Sequence, residues 1–261
     1  MSKLIKIYLL VFCLLLMTMN IQALAVSITI TDNYWGANPS HGLSDRDVVG
    51  EDNLFGVNQM VVTGENGKLQ YVDVYSSYLD NIGQNYTTLG DLFLSTNGWS
   101  PNVSDRYIED NFHNSGEVWE YALVLDNNLS NTGGTFGLYQ IIDSDDIILS
   151  NAPAGYAYRE GQEVLMNTSS LTALATGEWT IYNLGGDDAD DYLRFNISSL
   201  GYDVGSSNLG FHWAMTCGND VIEGGAVIPT PEPGSILLLG SGLISFGIFK
   251  RMRRKKNTSI N

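Results

Sequence analysis

The feature that most limits the fold is a recurring texture. Short runs rich in Val, Ile, Tyr, Phe, Trp and Thr alternate with clusters of Gly, Asn, Asp and Ser. β-Branched and aromatic side chains suit a pleated, half-buried surface, and the polar clusters between them favour turns. Nine runs read as strands: 26–31, 59–63, 69–75, 91–96, 118–126, 135–142, 178–183, 192–198 and 209–216. Gly64-Glu65-Asn66-Gly67 predicts a tight antiparallel hairpin, because Asn and Gly accept the positive φ that such turns demand. No amphipathic helix of ten residues is present, and 170–176 is the one stretch that reads as a short helix. Many short strands without a repeat of fixed period predict an all-β, antiparallel two-sheet β-sandwich, jelly-roll-like, rather than a propeller.

The two ends have a different character. Lys3 and Lys6 precede an apolar run over 7–19, and Ala23-Leu24-Ala25 follows. A positive region, an apolar core too short to span a bilayer and small residues at Ala23 and Ala25 make a secretory signal, residues 1–25, cut by signal peptidase after Ala25. At the other end an uncharged segment, 234–249, runs directly into Lys250, Arg251, Arg253, Arg254, Lys255 and Lys256. An apolar segment closed by cations reads as a C-terminal transmembrane helix with its stop-transfer cluster in the cytoplasm. The expected organisation is therefore a signal peptide (1–25), an extracellular β domain (26–228) and a C-terminal sorting segment (229–261).

The junction reads Ile228-Pro229-Thr230-Pro231-Glu232-Pro233-Gly234. Prolines at alternate positions keep this strip extended and outside the following helix. A Pro231-Glu232-Pro233 tripeptide, an apolar segment and a basic cluster in that order resemble the PEP-CTERM sorting signal of Gram-negative bacteria. The same tail is also labelled the C-terminal domain of ice-binding proteins, a label that carries no evidence of ice binding. The resemblance implies processing by an exosortase at the inner membrane and delivery to the cell surface or an exopolysaccharide matrix. In the body, the segments 90–95, 97–99 and 212–220 resemble stretches common in exported PEP-CTERM proteins, whose activity is generally unassigned.

Charge narrows the partners. Between the ends, five cations (Arg46, Lys68, Arg106, Arg159 and Arg194) face 28 acids, a net charge of about −23. Such a surface repels nucleic acid and anionic lipid, and it attracts divalent cations or simply stays soluble. Cys13 leaves with the signal, so Cys217 is then alone and no disulfide is expected within the body.

Few residues suggest chemistry. Gly185-Gly186 leads into Asp187, Asp188, Asp190 and Asp191, oxygen donors of the kind calcium takes, although a solvated acidic turn explains the same pattern. Asp143, Asp145 and Asp146 repeat the idea more weakly. Cys217 reads as a buried small hydrophobe. His41, His113 and His212 are read as structural or exposed, since neither G-x-S-x-G nor H-E-x-x-H occurs. Glu117 and Glu120 flank Trp119, but residues three apart on a strand face opposite ways and cannot share a cleft. Of the tryptophans, Trp35 and Trp99 lie in Gly, Asn and Pro surroundings that read as loop, which makes them candidates for stacking on a sugar ring. The remaining rings are expected in the core.

These features predict a non-enzymatic surface or matrix protein that binds polysaccharide or itself, with a secreted hydrolase of matrix carbohydrate as the alternative. Mass spectrometry of the mature protein from its host should find a chain ended near Pro231 to Pro233; one that retains Lys255 and Lys256 would contradict the sorting reading.

Overall fold

The computed structural model describes residues 25–32, 48–100, 118–156, 158–184, 191–200 and 208–229, with isolated positions 240, 242, 246 and 247. Residues 24–229 form one compact unit, and 1–23 with 230–261 form another. The signal segment through Leu24, the sorting motif, the span at 234–249 apart from those four positions, and the basic tail lie outside the described residues. Among the described residues no helix is long and apolar enough to cross a membrane.

The strand texture produces strands wherever it was read. In chain order these are β1 (Val26–Thr31), β2 (Val57–Glu65), β3 (Lys68–Ser76), β4 (Leu92–Ser95), β5 (Tyr121–Leu125), β6 (Gly133–Gln140), β7 (Ile147–Leu149), β8 (Glu163–Met166), β9 (Ala175–Tyr182), β10 (Tyr192–Asn196), β11 (Asn208–Ala214) and β12 (Val221–Val227). A single helical turn, α1 (Asp52–Phe55), precedes β2. Asn66 and Gly67 both take positive φ, 57° and 77°, and connect β2 to β3 as the hairpin the sequence predicts. Three strands escape the sequence reading: β7 and β8 are short, and β12 carries Gly224-Gly225 at its centre.

The sheet arrangement differs from the expected sandwich. Ten strands hydrogen-bond in one antiparallel sheet, in the order β1-β2-β3-β10-β9-β6-β5-β4-β11-β12, and β7 pairs with β8 in a small second sheet. The outermost strands, β1 and β12, lie side by side, so the large sheet curls until it is nearly closed. All ten of its strands send side chains into one apolar cluster, among them Met60, Val72, Phe136, Phe195, Phe211 and Trp213. Curling puts this cluster on the inside of one sheet, where a sandwich would place it between two.

Closure needs small residues where the edges meet. A Cβ on Gly224 of β12 would sit 2.5 Å from Ile30 Cγ2 of β1, and one on Gly64 of β2 would collide with the Ile228 side chain. The small sheet of β7 and β8 covers part of the outer face, where Phe93, Trp119, Ala122, Ile141 and Met166 form a second cluster. The expected helix at 170–176 does not form. Leu171 N–H bonds Thr168 O in a turn, Leu174 N–H bonds Leu138 O, and from Ala175 the chain is already β9, so pairing with β6 overrides local preference.

Buried acids fasten these parts together. Asp91 accepts Leu125 N–H at 3.0 Å and Met166 N–H at 2.8 Å, while its own N–H bonds Val164 O, so β4, β5 and β8 meet on one carboxylate. Asp220 takes Val57 N–H at 2.6 Å and ties the start of β12 to the start of β2. Across β3 and β10, directly opposed Asp73 and Arg194 form a bidentate pair at 2.7 and 2.6 Å, with the guanidinium within 4.9–5.4 Å of the ring centres of Tyr71, Tyr182 and Tyr192.

Desolvation pushes Asp91 up to about 7, against the pull of the Met166 and Leu125 N–H groups. Its folded value lies above the ordinary 3.8, so the native state holds this proton more tightly than the unfolded chain does. The stabilisation is therefore complete below about pH 4 and is lost as pH rises through about 7. Thermal unfolding should show a lower Tm at pH 8 than at pH 5, and Asp91→Asn should reduce that difference while lowering Tm at both; an unchanged pH difference would remove Asp91 as its source.

Candidate functional site

The strand pair β11–β12 builds the site by alternation. Leu209, Phe211 and Trp213 point into the main core, which puts Gly210 and His212 on the outer face. In register, Gly210 faces Ser95 of β4 on one side and Gly225 of β12 on the other, and His212 faces Phe93 and Glu223. Two facing glycines leave a bare shelf on the sheet. The turn after β4 lies across it: a Cβ on Gly210 would come within 2.7 Å of Gly98 O, and one on Gly225 within 3.4 Å of Trp99 Cβ. Gly98 makes that turn with φ of 86°, a left-handed conformation that glycine adopts freely. Trp99 is thereby held at the surface, 38% exposed, while Trp119, Trp179 and Trp213 are buried in the core as expected.

Beneath Trp99 sits a buried polar pair. Glu223 Oε1 bonds His212 Nδ1, and Glu223 Oε2 receives the Trp99 indole N–H at 3.4 Å. His212 Nε2 lies 2.6 Å from Glu163 O. A carbonyl only accepts, so Nε2 carries a proton, and the other ring nitrogen shares a second proton with the Glu223 carboxylate. Trp119 and Phe93 pack on the imidazole with centroids 5.6 and 5.8 Å away. The pair thus fixes the orientation of a carboxylate that is only 7% exposed.

That carboxylate lines a groove of about 330 Å³ at the place where the first and last strands of the large sheet meet. Thr29, Ile30 and Thr31 form one wall, Trp99 the other, and Gly224 and Gly225 complete the lining. An indole face, a carboxylate and threonine hydroxyls can together stack against a ring and accept or donate hydrogen bonds to its substituents. The nearby Ser95 hydroxyl accepts Asn97 N–H at 3.2 Å, which makes it part of the turn that carries Trp99.

The other sequence candidates lie elsewhere. Trp35, Asp187, Asp188, Asp190, His41, His113, Glu117 and the sorting residues Pro231, Glu232 and Pro233 are outside the described residues, as are Ala23 and Lys250, Arg251, Arg253 and Arg254. Ala25 is exposed just before β1. Asp191 is 3% exposed and takes Leu184 N–H at 2.7 Å, while its carbonyl takes Ser76 N–H, so it serves the ends of β9 and β3. Asp143 and Asp146 close a capping box around one helical turn. Among the described residues no three His, Cys, Asp or Glu side chains converge as a metal site. Glu120 accepts Thr96 N–H at 2.7 Å and the Asn97 amide, which braces the same turn from below. Cys217 is buried, and desolvation raises its thiol to about 11, so it is neutral at ordinary pH.

The sequence reading puts Trp99 in a loop, where the structure has it in the turn after β4, and reads His212 as structural or exposed, while the glycine shelf and the place of Glu223 beneath the ring escape it. The readable signal was the pair Gly224-Gly225 inside a Val and Ile run, since an interior strand glycine often marks a close approach of another backbone.

Comparison with protein families matches residues 229–254 to the PEP-CTERM protein-sorting motif. Comparisons with curated proteins and with solved structures give no match. The motif marks an exported protein sorted by an exosortase. Removing one member of a buried ion pair typically costs about 3–5 kcal/mol, so Glu223→Ala should lower the stability by that order in a denaturant titration and free the Trp99 ring, with a red shift of its emission. An unperturbed unfolding curve would show that the pair contributes nothing to holding the site.

Proposed function

We propose that this PEP-CTERM protein is a non-enzymatic surface or matrix component whose body binds polysaccharide through the groove at Trp99. The observation that carries the reading is an exposed indole braced from beneath: the glycine shelf, the Glu223–His212 pair and Glu120 all act to hold one aromatic face at the surface. A core tryptophan needs no such support at an exposed position. Sugar rings present apolar C–H faces and peripheral hydroxyls, and Trp99 flanked by Glu223, Thr29 and Thr31 offers a partner for each. The sorting motif supports the location of such a ligand, because it delivers the body outside the inner membrane.

Binding to a neutral polymer fits the charge better than binding to an acidic one. With five cations against 28 acids, the body repels uronate-rich chains unless divalent ions bridge them. Calcium at Asp187, Asp188, Asp190 and Asp191 would be one such bridge, and it belongs to the same proposal as a cofactor of binding.

The test is retention of the full-length chain, in detergent micelles, on exopolysaccharide from its host, with calcium and then with chelator. Trp99→Ala is expected to weaken retention about tenfold or more, equivalent to about 1.4 kcal/mol, while the body keeps a cooperative unfolding transition above the assay temperature. Equal retention by wild type and variant would remove Trp99 from the site. Release of reducing ends from the polymer would replace the binding reading with hydrolysis.

A further inference from the structure

A second opening lies away from the groove, between α1, the segment before β4 and the turn from β11 to β12. It measures about 140 Å³ and shares no lining residue with the Trp99 groove. One water needs roughly 10–15 Å³ on this kind of measure, so the space corresponds to about ten waters, the room of one six-membered ring with its substituents. Its floor is buried, at Val49, Phe55, Thr87, Cys217 and Asn219, whereas its rim at Asn85 and Tyr156 is exposed.

Two independent features mark this pocket. The first is Asn219, which is 3% exposed and whose Oδ1 is buried without a hydrogen-bond partner among the described residues. A buried amide in that state costs stability, and natural proteins satisfy nearly all such groups. The Asn219 carbonyl is used, since it takes Val49 N–H at 2.8 Å. The side-chain Oδ1 is the atom left without a partner, and Asn219 lines the pocket.

The second feature is the rim. Asn85 and Tyr86 follow one another with φ of 52° and 61°, a left-handed conformation that is costly for a tyrosine. The loop is held there by Gly83 N–H to Thr87 O at 3.0 Å, Thr87 N–H to Gln84 O at 3.0 Å and the Tyr78 hydroxyl on Thr87 O. The result is a Tyr86 ring 73% exposed, standing edge-on to Tyr156 with centroids 5.3 Å apart.

We propose that this pocket is a second binding site, for a single uncharged hydroxyl-bearing ring such as one sugar unit, held by the Asn219 amide below the Asn85–Tyr156 rim. The chemistry selects that class. An amide offers both a donor and an acceptor, which matches a hydroxyl that is also both. The lining contains no carboxylate, lysine, arginine or histidine, and its thiol stays protonated at neutral pH, so nothing there compensates a charged ligand. The Tyr156 ring at the mouth, steadied by Tyr86 behind it, provides an aromatic surface for C–H groups of the ring. The proposal does not depend on the reading of Trp99.

The experiment titrates the full-length chain in micelles with D-glucose, D-galactose and D-mannose separately, by calorimetry and by thermal unfolding. One of the three is expected to saturate a single site and raise Tm. Asn219→Leu should abolish that heat and at the same time raise Tm without sugar by about 2–4 °C, because it removes a buried amide that lacks partners. Tyr156→Ala, at an exposed position, should weaken binding at least tenfold with Tm unchanged, and Trp99→Ala should leave binding intact. Failure of all three sugars to give saturable heat overturns the proposal. So does an Asn219→Leu variant that binds as well as wild type or that melts lower without sugar, since the amide would then be structural. Loss of the heat in Trp99→Ala would place the ring in the groove and also overturn it.

Discussion

Closure of the large sheet is the constraint on which the rest of this molecule depends. An open ten-stranded sheet has two edges and an apolar face too wide for any helix among the described residues to cover. Curling it until β1 and β12 lie together encloses that face, and the enclosed cluster draws on every strand of the sheet. The close approach is possible because Gly224 accepts Ile30 and Gly64 accepts Ile228. Burial of large apolar side chains at roughly 25 cal/mol per Å² is the dominant favourable term, and closure is what makes it available to both edge strands.

The same closure creates the groove. β1 and β12 pack by side chains without joining the hydrogen-bond ladder, so a cleft stays between them, and Trp99 and Glu223 flank it. Strand β11 connects the cleft to the core. Its residues alternate between Phe211 and Trp213 inside and Gly210 and His212 outside, and both faces are buried because the small sheet and Trp119 cover the outer one. The orientation of Trp99 is therefore set by the packing of a strand buried from Leu209 to Ala214. Rigid strands position a loop residue here, as is usual where binding is carried by loops on a scaffold.

Polar groups inside the body divide into two kinds. Asp91, Asp220, Asp73 and Glu223 each meet specific donors, and each joins elements distant in sequence. They convert a curled sheet, which could slide in register, into one with fixed junctions. Two buried amides are of the other kind: the Asn219 Oδ1, one residue from the Asp220 junction, and both side-chain polar atoms of Gln162 meet no hydrogen-bond partner among the described residues. Asn219 lines the pocket beside α1 and Gln162 does not, so the two amides differ in what they can reach.

Much of the secondary structure was legible in the sequence. The nine runs became strands because β-branched and aromatic residues at alternating positions have few other ways to bury one face, and Asn66-Gly67 fixed the first hairpin through its backbone freedom. The strand β12 was hidden by the two glycines that allow it to meet Ile30 and Trp99, and 170–176 failed as a helix because β6 captured its end. Trp99 could be singled out from its neighbours in the chain, but its partners Glu223 and Thr29 lie 194 residues apart in sequence and are brought together by no local pattern. The sequence by itself determined the strands, the turns, the sorting motif and the charge, because each depends on residues close together along the chain. Only the tertiary structure decided the closure, the glycine shelf, the His212–Glu223 pair and the two pockets, because each depends on which strands become neighbours, and that choice is made by burying the whole core at once.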